Sequence, residues 1–144
     1  MQYWDTSTLA KLYVSEPDSA QFAAYLAATG PITTSELARW ELFRVLARKE
    51  AGGLLPTGAA EVVFGRFLAD VAAGKVGLAP LDSVLEARFQ QLVLRLHRLN
   101  PPLVVRTLDG IHIATADLRG ADALVATDTS MRKCAAAIGL KLYP

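Results

Sequence analysis

The sequence predicts an α/β protein built on a parallel β-sheet with helices over both faces. Three observations carry this expectation. Short strand-like runs alternate with helical runs along the whole chain, the pattern of parallel strands joined by crossover helices. Hydrophobic residues make up 52% and charged residues 20% of the 144, which suits one domain with one sizeable core. Acids stand at strand ends and helix starts, above all in Thr107–Asp128, and in open α/β sheets ligands bind at that edge.

Gln2-Tyr3-Trp4 reads as the first strand, and Leu9–Val14 as helix after Asp5-Thr6-Ser7-Thr8. Ser15-Glu16-Pro17-Asp18 breaks it, and Gln21–Ala28 is an alanine-rich helix closed by Thr29-Gly30-Pro31. Ile32-Thr33-Thr34 is the second strand. Ser35 is placed to cap a long helix, Glu36–Ala51, that stops at Gly52-Gly53. A helix over Thr57–Ala73 follows the break at Leu54-Leu55-Pro56 and ends at Gly74. Val76–Leu81 reads as a third strand and Val84–Leu99 as a helix that Asn100-Pro101-Pro102 halts. A helix begins at Asp109, a strand covers Ala123–Thr127, a helix covers Thr129–Ile138, and Leu140–Tyr143 is a last strand. No repeat, linker or low-complexity segment interrupts this order, so residues 1–144 read as a single domain.

Bulk properties exclude several classes. The formal net charge of +1 supplies no global field toward nucleic acid or membrane, so a nucleic-acid partner needs a local patch or a bound cation. The single Cys134 allows neither an internal disulfide nor a multi-cysteine metal site, and fits a reducing compartment. Met1–Pro17 lacks the basic and apolar regions of a signal peptide, and no apolar run approaches a membrane span. The expectation is a soluble cytoplasmic protein without membrane contact.

Four acids stand apart. Asp5 and Asp128 follow strands, Asp109 opens an apolar helix, and Glu41 interrupts the apolar stripe Leu37, Ala38, Leu42, Val45. Parallel strands bring Asp5 and Asp128 to one sheet edge, where helix starts also lie. Four carboxylates there repel one another unless a cation joins them. Hard cations such as Mg²⁺ and Mn²⁺ select oxygen ligands, and the chain offers only one Cys and two His as softer ones. The chemistry this cluster suits is metal-assisted attack of water on a phosphodiester. Each acid also has an ordinary reading. Asp5 and Asp109 suit helix caps, Asp128 a strand end, and Glu41 a structural ion pair with a helix arginine. Thr6, Ser7 and Thr127 flank acids and are placed to orient them or to hold a metal water. His112, in an apolar helix, reads as a packed or hydrogen-bonded side chain before a general base, His97 as surface, and Asp117 as solvated before a supporting acid. Arg39, Arg44, Arg48, Lys49 and Lys11 are the basic residues near these acids.

The residues that define the acids carry a family resemblance. Asp5-Thr6-Ser7 with Lys11-Leu12-Tyr13, Ser35-Glu36-Leu37 with Glu41, Leu108-Asp109 with His112-Ile113-Ala114-Thr115-Ala116, and Leu124–Asp128 resemble the PIN-domain nucleases. Within these the chain is most similar to the VapC-type toxins of toxin–antitoxin pairs, over nearly its whole length. The resemblance implies a three-layer α/β/α sandwich with a mainly parallel sheet, and a magnesium- or manganese-dependent ribonuclease. It implies Asp5, Glu41, Asp109 and Asp128 as the catalytic acids, with Asp5, Asp109 and Asp128 as metal ligands. It further implies an RNA substrate, a homodimer and a cognate antitoxin. Some relatives carry another acid after the last one; Arg132 stands there, which leaves one or two metal ions open. The row Trp40, Phe43, Ala47 suits an interface, with core packing as its simpler reading. The alternative function is a catalytically weak module that binds nucleic acid or a partner. A haloacid-dehalogenase-like phosphatase is disfavoured because Ser7 stands where its second aspartate belongs, and no phosphate-binding glycine loop is present.

Overall fold

The computed structural model describes residues 1–144. Its elements are β1 (Gln2–Trp4), α1 (Thr6–Ala10), α2 (Ser19–Thr29), β2 (Ile32–Ser35), α3 (Ala38–Ala51), α4 (Ala59–Ala72), β3 (Val76–Ala79), α5 (Ser83–His97), α6 (Thr107–Leu118), β4 (Ala123–Val125), α7 (Thr129–Ala137) and β5 (Leu142–Tyr143). The strands form one five-stranded sheet in the order β3-β2-β1-β4-β5, every neighbouring pair parallel.

Alternation along the strands splits the core in two. Trp4 and Val125 face one side, with Leu9, Phe22, Leu42, Leu46 and Phe67 from α1 to α4. Tyr3 and Leu124 face the other, with Leu92, Leu96, Ile113 and Met131 from α5 to α7. The expected three-layer sandwich is therefore present. Gly110 lets α6 lie against α5: a Cβ there would stand 2.7 Å from the Phe89 ring. That close approach fixes the height of Asp109 and His112.

The chain leaves β1 toward β2 and β3, then returns to β4 on the opposite side of β1. The strand order thus reverses between β1 and β4, and a crevice forms beyond their carboxyl ends. The Asp5 N–H donates to the Val125 carbonyl at 3.0 Å, tying the two exits together.

Several local expectations shift. The first helix begins at Thr6, earlier than Leu9, because the Asp5 carboxylate accepts from the Thr8 N–H and caps it there. Ser35 ends β2 and is not the α3 cap; its hydroxyl accepts from the Leu37 N–H at 3.2 Å in the turn between them. The Glu36 N–H still pairs with the Ala79 carbonyl at 2.9 Å, which delays the helix to Ala38. Glu50, at the end of α3, caps α4 by accepting from the Gly58 and Ala60 N–H groups at 3.0 and 2.8 Å. The last three strands are shorter than their apolar runs: β3 pairs with β2 only over Val76–Ala79, β4 with β1 only over Ala123–Val125, and β5 with β4 only over Leu142–Tyr143. The row Trp40, Phe43, Ala47 is not core: Trp40 is 63% and Phe43 41% exposed. Periodicity marks an apolar face but not what covers it. No helix is long and apolar enough to cross a membrane.

Candidate active site

Asp5, Thr6, Ser7, Glu41, Asp109, His112 and Asp128 line one cleft of about 500 Å³ at the β1/β4 crevice, with Arg44 and Arg106. All four acids singled out in the sequence meet there, as do Thr6 and Ser7. Thr127 is exposed and does not line it. Two further depressions on the surface are lined mostly by apolar side chains and hold no comparable set of acids.

Asp5 and Asp128 each cap the helix that follows their strand, so the cap and the site are compatible readings of the same residue. Asp5 is buried. Its Oδ1 accepts from the Thr8 N–H at 2.9 Å and the Thr8 hydroxyl at 2.5 Å, and its Oδ2 accepts from the Ser7 hydroxyl at 2.7 Å. The same Thr8 hydroxyl lies 2.8 Å from the Val125 carbonyl, so its single proton is shared between Asp5 and the end of β4. In Asp128, Oδ1 accepts from the Met131 N–H at 2.8 Å and Oδ2 from Arg106 Nη2 at 2.8 Å. The Met131 N–H, and after it Arg106, hold the Asp128 carboxyl below its ordinary range against the opposing effect of burial. Asp109 lies in the first turn of α6 and is not its cap, which falls at Arg106; its Oδ2 accepts from Arg106 Nε at 2.6 Å.

Glu41 is held differently. Its Oε2 accepts from the Thr6 hydroxyl at 2.5 Å and from His112 Nε2 at 2.6 Å. Burial raises its pKa, but the hydrogen bond and charge of His112, then Thr6 and Arg44, outweigh this and hold Glu41 below the ordinary range. The ionised carboxylate only accepts, so His112 Nε2 donates to it, and His112 Nδ1 is hydrogen-bonded with the Tyr3 hydroxyl at 2.8 Å. Burial pushes the Tyr3 pKa up, which keeps that hydroxyl protonated. His112 is 3% exposed. The direct partner of Glu41 is thus a histidine, not the helix arginine that its ordinary structural reading required.

Other candidates lie elsewhere. Asp117 pairs with Arg88 through Nε at 2.6 Å and does not reach the cleft. Arg132, in the place of a further acid, donates to the Ala126 carbonyl at 2.8 Å and braces the end of β4. His97 is exposed, and Cys134 is buried in the second core. Sequence reasoning missed Tyr3, Thr8 and Arg106. For Arg106 a signal existed: a cation at the head of a helix opposes the helix dipole and asks for a carboxylate partner.

A model of the PIN domain matches residues 3–137. The chain belongs to the PIN-domain family. Ribonuclease VapC46 of Mycobacterium tuberculosis is 34% identical to this PIN domain over 140 residues, 96% of this chain and 92% of that protein. Among solved structures, FitAcB from Neisseria gonorrhoeae superposes with a TM-score of 0.74 at 18% identity, covering 100% of this chain and 97% of that one. A toxin-antitoxin complex from Klebsiella pneumoniae gives 0.60 at 18% identity over 90% and 88% of the respective chains. At such identities these two structures bear on the fold alone. The PIN domain brings its acids to one edge, and their all-oxygen donor set fits a hard divalent cation. No group of three or more His, Cys, Asp or Glu side chains stands at metal-binding spacing. Instead a guanidinium bridges two of the aspartates.

Proposed function

We propose that the chain is a metal-dependent endoribonuclease and the toxin of a type II toxin–antitoxin pair. The observation that carries this reading is the convergence of Asp5, Glu41, Asp109 and Asp128 on one cleft at the sheet's switch point. The kinship with Ribonuclease VapC46 supports RNA as the substrate, and the toxin-antitoxin complex among the fold relatives supports a cognate antitoxin as partner. A homodimer, a cytoplasmic location and one nuclease domain over residues 1–144 complete the reading.

Asp5, Asp109 and Asp128 are the residues that would hold Mg²⁺ or Mn²⁺. When bound, such an ion polarises the phosphate and makes hydroxide available near neutral pH. The rest falls to the chain. Glu41, kept ionised by His112 and Thr6 through Oε2, has Oε1 left to accept a proton from the attacking water. The water oxygen bonds to phosphorus while the bond from phosphorus to the leaving ribose oxygen breaks, and that oxygen takes a proton from solvent water. Arg44 at the cleft wall meets the negative backbone of the RNA.

The test is cleavage of single-stranded RNA by purified protein with Mg²⁺ or Mn²⁺, with excess chelator, and with Asp5→Asn prepared identically as a control for contaminating nuclease. Cleavage that needs metal and disappears in the variant is expected. Cleavage that persists in chelator overturns metal catalysis, and inactivity across varied RNAs with metal favours the binding-module alternative. Sequencing the cleaved ends identifies the target RNA.

A further inference from the structure

Arg106 is the one cation that touches two of the acids in the cleft. It donates from Nε to Asp109 Oδ2 at 2.6 Å and from Nη2 to Asp128 Oδ2 at 2.8 Å. It thereby occupies the oxygen of Asp128 that is free of cap duty, since Oδ1 serves the Met131 N–H. A divalent cation held by Asp109 and Asp128 would compete with Arg106 for these carboxylates. The arginine side chain is 65% exposed. Its backbone is fixed just before α6, where the helix dipole favours an anion over its own charge. The two ion pairs raise its pKa, Asp109 contributing more than Asp128, so it is a permanent cation.

We propose that Arg106 is a displaceable counter-cation: it holds Asp109 and Asp128 while metal is absent, yields to the ion, and then binds the RNA phosphate. The inference rests on the metal-dependent nuclease reading above. Without a cation the two carboxylates repel each other across the cleft mouth. With Arg106 between them, one of the two negative charges is offset and their mutual repulsion is reduced. Once the ion takes the carboxylate oxygens, the guanidinium stays tethered at the cleft rim with its forked donors free. That fork matches the oxygens of a phosphodiester.

The two halves of the proposal have opposite signs in one variant. Calorimetric titration of Mn²⁺ into RNA-free protein compares the unmutated chain with Arg106→Gln. Removing the competitor is expected to tighten Mn²⁺ binding roughly three- to tenfold, the range for two exposed ion pairs. At saturating Mn²⁺ the same variant is expected to cleave RNA with a KM raised several-fold. Arg106→Lys keeps a charge but loses the fork, so its Mn²⁺ affinity should fall between the two. Equal or weaker Mn²⁺ binding by Arg106→Gln overturns the displacement, whatever happens to cleavage. An unchanged KM overturns the phosphate role. If the unmutated protein itself binds no Mn²⁺, the nuclease reading fails; if it binds and Arg106→Gln binds no tighter, only this inference does.

Discussion

The two sides of the cleft are built from opposite materials. On one side Glu41 sits in a chain of hydrogen bonds, Thr6 to Glu41 to His112 to Tyr3, that reaches from α1 and α3 around the sheet edge to α6 and β1. His112 and Thr6 are buried, and every link is a directed bond. On the other side Asp109 and Asp128 are joined only through Arg106, whose side chain is mostly in solvent. The first side is preorganised and stays in place. The second is only partly offset, by a charge that can leave. A nuclease site needs both properties: a proton acceptor held at one angle, and ligands able to exchange one cation for another. Burial decides which is which, because a hydrogen bond to a charge strengthens as water is excluded, whereas an exposed ion pair is weak and screened.

The largest effect that separates the sides should come from the aspartates. Asp5→Asn and Asp128→Asn are each expected to remove RNA cleavage to background. Both should leave the metal-free melting transition almost where it was, because asparagine also caps helices well. Asp5→Ala and Asp128→Ala lose the cap as well and should each cost about 1 kcal/mol of stability. Thermal melts beside cleavage assays resolve the two roles. If the asparagine variants lose as much stability as the alanine ones, the Thr8 and Met131 caps dominate and the ligand reading weakens. Mg²⁺ adds a second axis: it should stabilise the unmutated protein, by roughly 2.7 kcal/mol at a concentration a hundred times its Kd, and the asparagine variants less.

Glu41→Gln should come next. The amide can still accept one hydrogen bond but no longer takes a proton, so kcat should fall about 10²- to 10⁴-fold with KM little changed. His112→Gln probes the same side indirectly. It removes the donor that keeps Glu41 ionised and leaves the Tyr3 hydroxyl to find a new partner, so stability should drop by about 1.5–3 kcal/mol. A cleavage loss smaller than that of Glu41→Gln, with RNA binding retained, is the expected sign of a positioning residue. If His112→Gln cleaves as the unmutated enzyme does, the histidine is packing only.

Much of this arrangement could be read from the chain. Asp5 and Asp128 were visible because each ends an apolar run too short for anything but a strand, and parallel strands deliver such ends to one edge. Glu41 was visible because its four-residue neighbours on either side, Leu37 and Val45, are apolar. The sandwich itself followed from alternation, with Tyr3 and Trp4 serving opposite cores. What could not be read is whatever depends on contacts between distant parts of the chain. His112 lies 71 residues from Glu41, and no local pattern says that α3 and α6 meet beyond the sheet. Arg106 reaches Asp128 across 22 residues from a position that only its misfit with the helix dipole marks. Trp40 and Phe43 obey helical periodicity as a core row would, yet lie at the surface, because the same spacing serves either purpose.

Acid and salt should act unequally on the two sides. Glu41 and Asp128 both have depressed pKa values in the folded state. Each therefore contributes stability that is present above its unfolded value, about 4.3 for Glu and 3.9 for Asp, and is lost as pH falls through the lower folded value. Acid melts of His112→Gln should show a shallower loss in that window than the unmutated protein, since the partner that depresses Glu41 is gone. An equally steep loss would mean that other carboxylates account for it. Salt gives the smallest effect. Raising ionic strength from about 0.05 to 1 M shortens the screening length to about 3 Å and should weaken the exposed Arg106 pairs while sparing the buried Glu41 chain. The stability difference between the unmutated protein and Arg106→Gln should then shrink toward zero. The difference between the unmutated protein and His112→Gln should stay as it was. Melts of the three proteins at the two salt concentrations measure both gaps. If the two gaps shrink together, the Glu41 side is as open to solvent as the Arg106 side, and the asymmetry of the cleft is lost.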